Sequence, residues 1–297
     1  MLFLAFVGLM LVLDLTVFHR GPSKDEFRSA LAWSFFWIML AAAFAVLVYF
    51  WHGKTPALEF TTGYLIEESL SVDNLFVFLL IFRYFQVPRH YQHSVLFWGI
   101  LGALVMRLAF IILGVALIHR FEWITYIFGA FLVYTGIKLV RSEEVDIEPE
   151  KNPVLKWVRK VLPVTPDYVD GKFFVRNPGL YATPLFLVLI VIETTDVLFA
   201  TDSIPAVLAI TRDPFIVFTS NVFAILGLRS LYFVLAGAIQ YFRHLKIGLA
   251  LVLVFVGVKM IFHNLFDLPT PASLIVVVMI IAVSILSSIL TAKRAPS

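Results

Sequence analysis

The chain has 297 residues, 61% of them hydrophobic and 14% charged, with a mean hydropathy of +0.94 and a formal charge of +3. A soluble globular domain is about half apolar and a quarter charged, so this composition excludes that class. There are 0 cysteines, which also excludes disulfides, thiolate metal sites and cysteine nucleophiles.

Apolar runs between charged or proline-containing breaks predict an all-α membrane protein of about nine transmembrane helices. The first, at roughly 1–18, opens directly on Met1–Leu13, and its basic residues (Arg20, Lys24, Arg28) come afterwards, as in a retained anchor. The second covers roughly 30–51. Trp33, Trp37, Trp51, Trp98 and Trp123 stand near proposed span ends, where interfacial aromatics belong. The third, at roughly 60–82, is apolar yet holds Glu67, Glu68, Asp73 and Asn74. The fourth and fifth, at roughly 93–118 and 123–141, carry Arg107 and Lys138. Residues 142–179 begin acidic and turn basic, as a charged linker does, and no chemistry is assigned to them. The sixth span, at roughly 180–210, holds Glu193, Asp196, Asp202 and Ser203, and its Pro184 and Pro205 predict a kinked or broken helix. Spans at roughly 214–241, 246–264 and 271–292 follow, the seventh carrying Arg229 and the eighth Lys259.

Lys and Arg fix the orientation. With the N-terminus outside, 16 of them fall on inside segments and 3 on outside segments, which the positive-inside rule reads as N-out and C-in. The expected location is the inner (plasma) membrane, crossed several times, with a cytoplasmic C-terminus.

Two parts of the chain resemble each other. Ile100-Leu101-Gly102 followed by Arg107 recurs as Ile225-Leu226-Gly227 followed by Arg229, and Gly136-Ile137-Lys138 as Gly257-Val258-Lys259. Glu67 and Val72-Asp73-Asn74 recur as Asp196 and Thr201-Asp202-Ser203. Each repeat holds three spans, an odd number, which forces the copies into opposite orientations across the bilayer. The predicted division is two peripheral spans (1–59), repeat 1 (60–141), a cytoplasmic linker (142–179), an inverted repeat 2 (180–264), and a final span and tail (265–297).

Six carboxylates thus sit inside apolar runs, each costing at least about 2.5–3.5 kcal/mol at the bilayer centre unless paired or used. Arg107 and Arg229 are too few to neutralise them all. Antiparallel crossing of the third and sixth spans is expected to level Glu67 with Asp202 and Asp73 with Asp196 as two metal-binding pairs. Asn74 and Ser203 add neutral oxygens, Glu193 assists from one turn before Asp196, and Glu68 faces away from Glu67. The seven histidines lie at span ends or beside arginines. All-oxygen ligands favour manganese, magnesium or calcium over zinc or copper.

The stretches GYLIEESLSVDNLFVF (63–78), FGAFLVYTGIKL (128–139), FFVRNPGLYATPLFLVLIVIETTDVLFATDSIPA (173–206) and SNVFAILGLRSLYF (220–233) resemble the TerC family of membrane proteins. The likeness covers nearly the whole chain and is greatest to the family's Alx branch. It implies manganese export, with Glu67, Asp73, Asp196 and Asp202 at the family's acidic positions and tellurite tolerance as an indirect effect. The expectation is a transporter, not an enzyme, with Mn2+ as substrate, no permanently bound cofactor, lipid around it and protons as counter-ion. No nucleic-acid partner is expected, and the oligomeric state stays open. A non-transporting partner that delivers or senses manganese is the alternative. An intramembrane aspartyl protease is a remote one, lacking Gly-x-Gly-Asp and His-Glu-x-x-His.

Overall fold

The computed structural model describes residues 7–10, 26–141, 152–176, 179–238, 245–262, 265 and 268–292. Most of the first predicted span, with Asp14, and the acidic run of the linker lie outside these, as does the side chain of Asp73. Eight long helices and one short one carry the described chain. They are α1 (Glu26–His52), α2 (Lys54–Tyr84), α3 (Arg89–Arg120), α4 (Ile124–Arg141) and α5 (Pro153–Val161), then α6 (Pro184–Leu208), α7 (Pro214–Ala238), α8 (Leu245–Ile261) and α9 (Thr270–Ala292). Six of the long helices (α1, α3, α4, α6, α7 and α9) are long and apolar enough to cross a membrane. Helix α2, at 31 residues, is long enough but carries the acids, and α8 has 17 residues.

The surface is the reverse of a soluble protein's. Phe50, Trp51 and Leu290 turn outward with 80%, 69% and 62% exposure, while charged and amide side chains line the interior. Trp37 departs from the expected interfacial position: it is 2% exposed and packs with Val222 and Leu226. Its Cβ lies beside Gly227, where an added side-chain carbon would stand at an ordinary 3.5 Å.

The packing is set by close helix pairs. Helices α1 and α2 meet at Gly53, whose φ of +94° suits only glycine. Helix α3 runs alongside α6 in the same direction, with Gly99 against Ile192, Gly102 against Glu193 and Gly114 against Leu208. Helix α2 runs likewise beside α7, through Gly63 with Ser220 and Glu67 with Asn221. Helices α4 and α8 run oppositely, because Gly129 meets Gly257 while Gly136 meets Ala250. A side-chain carbon on Gly129 would stand 2.9 Å from the Gly257 carbonyl oxygen, and one on Gly257 would stand 2.7 Å from that of Gly129. Only glycine permits so close a backbone approach.

The structure adds local detail to three expectations. The chain is not purely helical: β1 (Phe174–Arg176) and β2 (Leu180–Ala182) form an antiparallel hairpin with Val175 opposite Tyr181. The sixth span therefore begins at Pro184 rather than near 180, because proline is well placed in a helix's first turn. That helix also passes through Pro205 to Leu208 without a break. Pro205 sits in its last turn and still accepts from the Ala209 amide at 3.0 Å, so the missing N–H costs one bond near an end.

The linker is more than a tether. Asn152 caps α5, accepting from the Val154 and Leu155 amides at 2.9 and 3.2 Å, and Leu155 and Val158 are buried against the N-terminal half of α6. The amide of Ala182 donates to Pro163 and its carbonyl accepts from Thr165, both at 2.9 Å. The Tyr168 hydroxyl donates to the Phe85 carbonyl at 2.7 Å, and burial pushes that phenol up to about 12, so it stays a donor.

Candidate functional site

Helices α2, α3, α6 and α7 meet around one arginine. Arg107, 1% exposed, pairs with the Glu67 carboxylate on α2 and with Asp196 on α6, its Nη2 standing 3.1 Å from Asp196 Oδ1. Its Nε donates to Asp196 Oδ2 at 3.4 Å. Asn221 of α7 closes the ring: its Oδ1 accepts from Arg107 Nη1 at 2.9 Å and its Nδ2 donates to Glu67 Oε2 at 3.1 Å. Ser203 Oγ accepts from Arg107 Nη1 at 3.5 Å. Glu67, Asp196, Ser203 and Asn221 are all at most 3% exposed, so this is a solvent-free, charge-assisted network.

Two apolar clusters close on it from opposite ends. At the hairpin end, Val72, Leu75 and Phe78 pack with Val95, Leu96, Leu185, Val188, Ile225 and Leu228. At the other, Ile66 and Leu70 pack with Ile111, Ile204, Val207, Val217 and Val252. The polar centre is occluded by side-chain packing on both sides.

Glu67 and Asp202 answer different partners among the described residues. Glu67 shares Arg107 with Asp196, its own repeat counterpart. Asp202, partly buried, accepts from Thr135 Oγ1 of α4 at 3.2 Å. The reason is the reach of the arginine. Helices α2 and α6 run oppositely, with Gly63 beside Val207, so Glu67 lies level with the Asp202–Ser203 part of α6, and the Arg107 side chain spans from Glu67 and Ser203 to Asp196. Asp73, the remaining predicted ligand, has its side chain outside the described residues. Among the described residues, no three or more His, Asp or Glu side chains gather closely enough to hold a metal ion. In this arrangement the Arg107 guanidinium is the cation between the carboxylates.

The other predicted site residues divide by position. The Glu193 carboxylate lies in the notch that Gly102 leaves in α3, with Oε2 buried and without a hydrogen-bond partner among the described residues. Glu68 lies on the α1/α7 side of α2, close to Gly227, and its Oε2 is likewise unpartnered. Asn74 is 3% exposed and Arg229 1%, both inside the bundle. Asn221 was missed at the sequence level. It stood in the run Thr219-Ser220-Asn221, an amide in the middle of an apolar span, which is the same signal that singled out the acids.

Comparison with known proteins agrees with this reading of the chain. It is 49% identical over 296 residues to an uncharacterised membrane protein of Myxococcus xanthus, STKORF319, covering 99% of this chain and 93% of that one. It is 47% identical over 285 residues to an Escherichia coli protein carrying the name membrane-bound redox modulator Alx, covering 93% of this chain and 89% of that one. A membrane protein of Rickettsia bellii is 40% identical over 290 residues, or 97% and 96% of the two chains. No solved structure matches. Residues 52–296 match the model of the integral membrane protein TerC family, and with relatives this similar over nearly their whole length, the chain is a multi-pass membrane protein that belongs to the TerC family.

Proposed function

We propose that this protein carries a hard divalent cation, manganese, across the inner membrane from the cytoplasm outward. The observation that supports it is the buried Glu67–Arg107–Asp196–Asn221 network between two apolar seals. Ionised groups inside a membrane bundle mark ion paths, and two carboxylates carry the charge that a divalent cation neutralises. When manganese enters, it takes the place that Arg107 holds in the empty protein, with Asn221 and Ser203 as neutral oxygen donors nearby. Asp73 and Asp202 receive the ion on either side of this centre. Oxygen ligands without thiolate favour manganese over zinc.

The nine-span count and the inverted repeat belong to the same proposal. Residues 1–18, α2 and α8 join the six apolar helices as spans, and α2–α3–α4 mirror α6–α7–α8. The contacts support this. Helix α3 lies along α6 as α7 lies along α2, and in the α4–α8 pair Gly129 meets Gly257 while Gly136 meets Ala250. Since Gly136 corresponds to Gly257, and Gly129 by the same offset to Ala250, each contact is the image of the other under a two-fold axis in the membrane plane. Manganese leaves as protons enter, and the two repeats rock about this axis so that one apolar seal opens at a time. The N-terminus is outside and the C-terminus inside.

The experiment is flux. Purified protein in sealed proteoliposomes should move manganese, and Glu67→Gln or Asp196→Asn should slow it at least tenfold while still inserting. If all of these carry manganese like wild type, the site is wrong. If wild-type protein binds manganese yet moves none, the delivering or sensing role replaces transport. With 0 cysteines, the redox name of the Escherichia coli relative does not translate here into thiol exchange by this chain.

A further inference from the structure

The α2 face that carries Glu67 continues toward the hairpin end. Ser71 and Asn74 follow Glu67 by four and seven positions, which keeps all three within about 60° of one another, about 6 and 10 Å along the axis. Both are sealed off, Ser71 at 0% and Asn74 at 3% exposure. Yet neither the Ser71 hydroxyl nor the Asn74 amide nitrogen has a hydrogen-bond partner among the described residues. Of the other helical hydroxyls, Thr125 and Ser273 are likewise unpartnered but stand in the first turns of α4 and α9, and those further along a helix behave differently. Thr61, Thr62, Ser69, Thr195 and Thr219 each donate to a carbonyl one turn back on their own helix. Ser71 lacks even this local bond, so its oxygen is available to something else.

Buried polar groups without partners are less stable than apolar side chains of the same shape, and two on one face of one helix call for an occupant. They lie beside the charged centre but outside the ring that Arg107 organises. A half-turn of the Asn74 amide exchanges its nitrogen for its oxygen, so the pair presents two neutral oxygens.

We propose that Ser71 and Asn74 form a neutral-oxygen station for a hard divalent cation, between the Arg107 ring and the apolar cluster at the hairpin end. The inference rests on the transport reading and adds to it the place where the ion waits on the hairpin side. Hydroxyl and amide oxygens suit a hard cation that keeps part of its water. They hold it more weakly than carboxylates, so the ion can be passed on to Glu67 and Asp196 instead of being trapped.

The test is manganese flux against manganese concentration in proteoliposomes, with denaturant unfolding of the same variants. Ser71→Ala should raise the half-saturating concentration about two- to tenfold. It should not lower the unfolding midpoint, because the hydroxyl it deletes has no partner in the fold. Ser71→Thr, which keeps the hydroxyl, should stay near wild type, and Asn74→Leu should shift the half-saturation in the same direction as Ser71→Ala. Wild-type half-saturation in both Ser71→Ala and Asn74→Leu, alongside suppressed flux in Glu67→Gln, overturns the station and leaves the transport reading standing. Wild-type flux in Glu67→Gln as well overturns both. A lowered midpoint in Ser71→Ala with unchanged half-saturation assigns the hydroxyl to the fold and overturns the station. Should Asn74→Leu fail to insert, Ser71→Ala decides alone.

Discussion

Arg107→Gln is the most informative perturbation. The guanidinium answers two buried carboxylates at once, Glu67 and Asp196, with Asn221 and Ser203 completing its contacts. Removing one partner of a buried ion pair costs about 3–5 kcal/mol, because an uncompensated charge is left in a low-dielectric site. Here two carboxylates lose the same partner, so the upper end of that range is expected in urea unfolding of the protein in mixed micelles. The second arm adds manganese. If the cation and Arg107 compete for the same carboxylates, the variant binds manganese more tightly than wild type. A cation at about 100 times its Kd adds about 2.7 kcal/mol, so manganese should restore more stability to Arg107→Gln than to the parent. The cycle with Glu67→Gln checks the origin of the loss: the double variant should recover part of it, with a coupling of about 0.5–3 kcal/mol. A cost under about 1 kcal/mol, or equal manganese stabilisation of variant and parent, would refute the reasoning.

Four further outcomes are expected. Asp73→Asn and Asp202→Asn should each lower manganese flux in proteoliposomes without preventing insertion, and competition should rank manganese above zinc. Gly102→Ala places a methyl on the Glu193 carboxylate and should destabilise by about 1–3 kcal/mol. Gly227→Ala, whose new carbon would meet Trp37 at an ordinary 3.5 Å, should be neutral or gain up to about 1 kcal/mol, both read from denaturant midpoints. A pH dye inside the proteoliposomes should report protons moving against manganese, and flux indifferent to an imposed pH gradient at clamped potential would leave passive movement instead.

What the sequence disclosed follows from what is costly in a membrane. Glu67, Asp196 and Arg107 were legible because a charge inside an apolar run needs a purpose, and the structure brings these three together. Their shared partner was not legible. That one guanidinium answers both Glu67 and Asp196 depends on how α3 lies along α6 and α7 along α2, through contacts such as Gly102 with Glu193 and Gly63 with Ser220. Trp37 misled for a related reason. An aromatic belongs at the interface unless a neighbouring helix offers it a buried place, and α7 does so through Val222 and Leu226, far away in the chain. The hairpin was hidden because three-residue strands such as Phe174–Arg176 carry too little alternation to stand out beside 20-residue apolar runs.

The placement of Arg107 explains why an acidic membrane site can exist in an empty protein at all. Glu67 and Asp196 occupy corresponding positions in the two halves, so any rocking about the proposed axis carries them past one another while keeping them near it. The Arg107 guanidinium answers both carboxylates, and Asp202 keeps its separate Thr135 contact on α4. The α4–α8 pair is held by backbone approach at Gly129 and Gly257, with the Ile261 and Val133 side chains packed against the same glycines. In the proposed transport cycle the apolar clusters above and below Arg107 are the parts to open, because they hold only dispersion and packing contacts, while breaking the charged ring between them without a replacement cation would leave buried charges uncompensated.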